Sequence, residues 1–206
     1  MSQLALPLDW PTPDSRAAYL VSEANAPILR HLEHWSLWPV MATILSGPRK
    51  SGRSLLARGF AARSGGELID DAEGADEEAL FHAWNRAQAR RRPLILVADE
   101  APPAWSVTLP DLRSRLAATP ALRIAEPDEP LMAALIEKLC LDRGLAAPPE
   151  LIRYLVPRIE RSYWGLHRAI EALDTLAFAY RQRLTVPLAR RALIALGVID
   201  VSQARD

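Results

Sequence analysis

The chain has 206 residues, half of them hydrophobic, and its 25 basic residues balance 25 acidic ones. That length accommodates one ordinary domain, or a larger and a smaller one, with ample material for a core. Zero net charge excludes a global attraction to nucleic acid or anionic lipid, and a single cysteine, Cys140, excludes an internal disulfide.

The first stretch reads Gln3-Leu4-Ala5-Leu6-Pro7-Leu8, and Asp9 to Pro13 follows with two prolines. Residues 1–13 are expected to form a flexible peptide. When extended, Leu4, Leu6 and Leu8 share one face, and Pro7 lowers the cost of ordering it. Either a partner or the chain's own body must cover that face. No basic region precedes a long apolar run, and no stretch reaches about 18 uninterrupted apolar residues, so a soluble cytoplasmic protein without membrane contact is expected.

Tyr19-Leu20-Val21 reads as a short extended piece. Asn25 offers an N-cap to a helix whose apolar stripe is Ile28, Leu29, Leu32 and Trp35, and Trp38-Pro39 stops it. His31 and His34 lie off that stripe without Cys or carboxylate at ligand spacing, which predicts solvated histidines rather than a metal site. Val40 to Leu45 is the first buried strand.

A phosphate-binding pattern comes next. Gly47-Pro48-Arg49-Lys50-Ser51-Gly52-Arg53-Ser54 lies between that strand and a helix expected over Arg53 to Ala62. In a P-loop of this kind, backbone N–H groups and the helix N-terminus cradle phosphates. Arg53 stands where the lysine that reaches the outer phosphates belongs, keeping the charge but not the compact ammonium. The plain alternative is a Gly-rich turn joining strand to helix.

Ser64-Gly65-Gly66 makes a turn before Glu67-Leu68-Ile69-Asp70-Asp71. An apolar strand ending in acidic residues is the Walker B pattern, in which Asp70 and Asp71 would face a nucleotide and Asp70 with Ser54 would take Mg2+ if a nucleotide is bound. A helix N-cap explains Asp70-Asp71 equally well, because Ala79-Leu80-Phe81, Trp84 and Ala87 form a helical stripe just beyond. Arg86 and Arg90 to Arg92 close that helix, where cations offset its dipole.

Pro93 to Ala98 is a clear core strand ending at Asp99-Glu100, and Leu122 to Ala125 can supply one more. Apolar strands separated by helices imply a parallel sheet covered on both faces. From about Glu129 the chain reads as four helices. Their stripes are Leu131, Leu135, Ile136, Leu139 and Cys140, stopped at Gly144; then Leu151, Ile152, Leu155 and Val156; then Trp164, Ile170, Leu173, Leu176 and Ala177; and last a helix capped by Thr185. An α/β core over 14–127 followed by a helical unit over 128–206 is the expected organisation.

Three segments together carry a family resemblance. Gln3 to Leu8 resembles the peptide with which bacterial proteins bind the beta sliding clamp. Gly47 to Ser54 is the P-loop, and Leu109-Pro110-Asp111-Leu112-Arg113-Ser114-Arg115-Leu116 resembles the arginine-finger segment of the Hda family, relatives of the replication initiator DnaA that inactivate it. Asp76 to Asn85 also resembles the DnaA-like helix after Walker B. The resemblance spans essentially the whole chain.

It implies a P-loop AAA+ parallel sheet followed by a small helical lid, with ADP and Mg2+ as candidate ligands. The implied partners are the beta clamp and DnaA, with DNA reached only through the clamp, in the nucleoid-associated cytoplasm; a homodimer is left open. Gln3, Leu4, Leu6, Pro7 and Leu8 would bind the clamp. Arg115 would be the finger that neutralises charge on the transferred phosphoryl group, with Arg113 second choice. Arg115 could instead pair with Asp111 one helical turn earlier.

Two departures stand out. The interval before Asp70-Asp71 is short by about one strand and helix, which in the AAA+ strand order 5-1-4-3-2 removes an edge strand. Trp164 falls where the lid arginine of the family belongs, with Arg161 and Arg168 a turn away on either side. Other readings are a self-sufficient P-loop ATPase of the helicase or clamp-loading kind, and an adaptor with an empty nucleotide site.

Overall fold

The computed structural model describes residues 19–199, so the clamp-like peptide Gln3 to Leu8 lies outside the described residues. The chain divides into two units, one up to Ala125 and one from Glu126.

The first unit is built on a parallel sheet. Its strands are β1 (Ala42–Ser46), β2 (Glu67–Ile69), β3 (Leu94–Val97) and β4 (Ala121–Arg123), in the order β2-β3-β1-β4. Ala42 lies opposite Leu94, Ile44 opposite Ala121, and Glu67 opposite Leu94. Every residue of β1 and β3 is buried, as central strands covered on both faces must be. The edge strands are only three residues long and partly exposed, which limits unpaired backbone at the rim. Relative to the AAA+ order, no edge strand lies beyond β2 among the described residues.

Helices α1 (Ala26–Glu33), α2 (Arg53–Ser64), α3 (Glu77–Arg90) and α4 (Pro110–Ala117) complete this unit. Leu56, Phe60, Leu80, Leu112 and Leu116 are their main buried apolar contributions. Gly65, at φ +66°, closes α2 in the left-handed conformation that favours glycine.

Several local expectations change. Tyr19-Leu20-Val21 forms no strand. Asn25 begins α1, but its side chain turns back instead of capping: Oδ1 accepts from Ser22 N at 2.9 Å and Nδ2 donates to Leu20 O at 2.9 Å. His31 is no solvated histidine. Its ring stacks on Trp38 at 4.6 Å, Trp38 stacks in turn on Phe60 at 5.7 Å, and burial lowers the His31 pKa. The last strand sits one residue early, at Ala121–Arg123, because Ile124 turns into the core while its N–H bonds Ser46 O at 2.8 Å. Asp76, not Asp70 or Asp71, caps α3, accepting from Ala79 N at 2.8 Å. Asp71 instead starts a short 3-10 turn (Ala72–Gly74) at φ 55°.

The second unit contains α5 (Glu129–Leu141), α6 (Pro149–Leu155), α7 (Tyr163–Tyr180) and α8 (Val186–Ala195). Three N-caps define its helix starts: Asp128 accepts from Leu131 N at 2.8 Å, Ser162 from Gly165 N at 2.9 Å, and Thr185 from Leu188 N at 3.4 Å. Met132, Ile136, Leu155, Leu166, Leu173 and Leu193 are among its core residues. Cys140 is fully buried there, and burial pushes its thiol pKa up to about 11. Trp164 departs from the expected stripe and is exposed, while its neighbour Tyr163 takes the buried position.

Candidate nucleotide-binding site

The carboxyl ends of β1, β3 and β2 converge on one edge of the first unit, where ligands of open α/β sheets bind. At the end of β1, Gly47 adopts φ +147° and packs against Ile124 so closely that a Cβ would lie 2.9 Å from the Ile124 Cβ and carbonyl oxygen. Pro48, Arg49 and Lys50 carry the loop outward, with Lys50 itself at φ 69°. Gly52, at φ +83°, then opens α2 without a side-chain cap.

The first bond of α2 joins Leu56 N to Gly52 O at 2.9 Å. The N–H groups of Arg53, Ser54 and Leu55 therefore have no acceptor within the helix. Ser51 is buried and its Oγ has no hydrogen-bond partner. A glycine-shaped loop, an orphaned buried hydroxyl and unspent first-turn N–H groups fit a phosphate-bearing ligand. Tyr19 adds a feature that sequence reasoning missed: its ring lies where a Cβ on Gly52 would come within 3.2 Å of it.

Arg53 behaves differently from the expectation. Its guanidinium donates to Ala98 O and pairs with the Asp99 carboxylate, at the end of β3, and does not stand open to the loop. Arginine's planar fork makes the two bonds from two separate nitrogens in fixed geometry, whereas an ammonium would have to make both from one. Asp99 is held from other directions too. Gly47 N donates to its carbonyl at 3.3 Å, and Glu73 accepts from Asp99 N at 3.1 Å and Glu100 N at 3.4 Å. Asp99 and Glu73 are thus part of the site, although only the strand ending at Asp99 was visible beforehand.

Ser54 Oγ donates to Asp70 Oδ1 at 3.0 Å, and Arg58 lies 3.7 Å from Asp70 Oδ2. The structure brings Ser54 and Asp70 together, as a Mg2+ site supported by nucleotide phosphates would require. Among the described residues no hydrogen bond joins Asp71 to the loop, and no cluster of three or more His, Cys, Asp or Glu side chains could hold a metal by itself.

The segment 109–116 forms α4 and is moored to α3. Glu77 accepts from Thr108 N at 2.8 Å, Thr108 Oγ1 at 2.8 Å and Leu109 N at 2.6 Å. The backbone bonds from Thr108 and Leu109 hold its carboxyl pKa below the ordinary value. Arg113 spends its donors locally, on Val107 O at 3.0 and 2.7 Å.

Arg115 is placed quite otherwise. Its guanidinium lies over the rings of Phe81, at 4.6 Å, and Trp84, at 4.8 Å, and its buried Nε has no partner. Trp84 Nε1 donates to Thr119 Oγ1 at 3.1 Å, and that hydroxyl donates to Arg115 O at 2.8 Å, so ring and arginine backbone are tied. Among the described residues no ion pair links Arg115 to Asp111. Stacking on aromatic faces leaves a guanidinium fully charged.

Residues 128–193 match the family model of the Hda lid domain. The structure is similar to domain III of the replication initiation protein DnaA from Thermotoga maritima, with a TM-score of 0.68 at 15% identity, over 85% of this chain and 93% of that one. AMPPCP-bound DnaA from Aquifex aeolicus matches at a TM-score of 0.53 and 13% identity, over 89% of this chain and 82% of that one. Residues 128–193 are thus similar to the Hda lid domain, and the fold of the chain is similar to that of DnaA.

An uncharacterised protein of Haemophilus influenzae is 30% identical over 118 residues, 57% of this chain, and the chain spans about half of that relative, 51%. Within the Hda-like lid, Trp164 is exposed in the first turn of α7. Arg161 is anchored through Nε to Pro127 O at 2.8 Å, and Arg168 is exposed one turn beyond Trp164. No helix among the described residues is long and apolar enough to cross a membrane.

Proposed function

We propose that this Hda-like protein regulates the initiation of DNA replication in the bacterial cytoplasm, docking on the beta sliding clamp and promoting hydrolysis of ATP bound to DnaA. The observation that carries the reading is Arg115: a guanidinium braced on Phe81 and Trp84, without a neutralising carboxylate among the described residues, in the segment that resembles an arginine finger. A cation of this kind, offered to a partner's triphosphate, stabilises charge developing on the phosphoryl group by about 10^3 to 10^5 in rate in systems where it has been measured. Arg113, whose donors serve its own loop, is the poorer candidate.

The N-terminal segment would supply the landing contact. Burying two leucines contributes ~1.5 to 3 kcal/mol each, a weak contact that a multimeric clamp can strengthen by tethering. DNA would be approached only through the clamp, in keeping with zero net charge.

Gly47, Pro48, Arg49, Lys50, Ser51, Gly52, Arg53 and Ser54 would hold ADP, and Ser54 with Asp70 would take its Mg2+. The nucleotide's part would be to order the body, because the chain's Arg53 is engaged with Ala98 and Asp99 and not free for hydrolysis. That same engagement favours, as a second reading, an adaptor that works without nucleotide.

The test uses purified clamp, ATP-loaded DnaA and the intact chain. Arg115→Ala should keep clamp binding and lose stimulation of DnaA ATPase, while Leu6→Ala with Leu8→Ala should lose clamp binding. Full stimulation by Arg115→Ala removes the finger, and an empty clamp pull-down with the unaltered chain removes the regulator. Calorimetric titration with ADP separates the readings, since 1:1 saturation rejects the empty-site adaptor.

A further inference from the structure

Arg53 is the basic side chain that the P-loop pattern would direct to the outer phosphates, yet both of its terminal nitrogens are already engaged, by Ala98 O and Asp99. Its side chain is only 13% exposed, whereas that of Asp99 is 51% exposed. The cation is therefore fixed and the carboxylate is the half of the pair with access to water. Asp99 does not sit on a loose loop, because Gly47 N binds its carbonyl and Glu73 binds its N–H, so its carboxylate is delivered to Arg53 by bonded backbone on both sides.

We infer that Asp99 masks the phosphate-binding cation of this site, so that a nucleoside diphosphate binds by displacing the Asp99 carboxylate from the Arg53 guanidinium. The inference rests on the reading of residues 47–54 as a phosphate site. The exchange is balanced chemically, one anionic oxygen acceptor replacing another on the same guanidinium, and needs no proton or co-reactant. Its cost falls on Asp99, which returns to water, while Ser54, Asp70 and the first-turn N–H groups stay as they are.

The experiment is calorimetric titration of the full chain with ADP, with adenosine as a control that lacks phosphate. Asp99→Asn removes the competing charge and should tighten ADP binding by up to about fivefold, the upper range for loss of one half-exposed ion pair, with adenosine binding unchanged. Adding Arg53→Met to Asp99→Asn should abolish the gain, which locates it on the guanidinium. Binding by Asp99→Asn alone, with none by the unaltered chain, would also bear the mask out.

Equal or weaker ADP binding by Asp99→Asn overturns the inference and leaves the phosphate site standing, with Asp99 a bystander or a ligand. No ADP binding by either protein, when both melt at the same temperature, overturns the phosphate site and the mask together.

Discussion

One carboxylate, Glu77, satisfies the N–H groups of two consecutive residues, Thr108 and Leu109, just where the chain turns into α4. These donors favour the charged form and depress its pKa, so the folded state binds its proton less readily than the unfolded state. By linkage, the stabilisation is full at pH values above the ordinary glutamate pKa of 4.5 and is lost as pH falls through the lower folded value. Glu77→Gln should lower the urea midpoint at neutral pH and flatten its decline on acidification. Urea titrations at a series of pH values between neutral and the acid limit measure both effects. An unchanged pH slope would show that Glu77 does not couple folding to protonation. Burial lowers the His31 pKa and acts in the same direction nearer neutrality, so the comparison is made on otherwise identical chains.

Among the elements, the loop from β1 into α2 depends most on a single small residue. Gly47 combines φ +147° with a Cβ position 2.9 Å from Ile124, so Gly47→Ala meets both a disfavoured backbone and an immovable neighbour. A loss of about 2 kcal/mol is expected, in the range of core overpacking, read as a lower midpoint in urea with unchanged slope. Gly65→Ala offers a contrast, because nothing lies within 4 Å of its Cβ position and only the left-handed φ of +66° opposes the change. The sequence pattern made β1 and β3 legible because strands covered on both faces must be unbroken apolar runs, and α5 to α8 legible because their caps and stripes are local. What it could not reveal were bonds between distant residues. Arg53 and Asp99 lie 46 positions apart, and Glu77 and Thr108 lie 31 apart, so neither pairing leaves a periodic trace. Trp164 was misplaced for a different reason: Tyr163, three positions before Leu166, satisfies the helical spacing equally well and took the core.

At the scale of the whole molecule, the chain is two units, each with a core of its own. The unit from Glu126 buries Met132, Ile136, Leu151, Leu155, Leu173 and Leu188 among its own helices, and the starts of α5, α7 and α8 are capped from within. Nothing in that set of contacts draws on the sheet, so residues 126–206 should fold when produced alone. The expected result is a helical circular dichroism spectrum with a cooperative thermal transition. Leu173, fully buried in α7, is the sensitive position: Leu173→Ala should cost ~2 to 5 kcal/mol, a large part of the stability of so small a unit. Phe178, 86% exposed on the same helix, is its control, and Phe178→Ala should leave the transition where it was. A fragment without a cooperative transition would mean that the four helices need the first unit to hold their core.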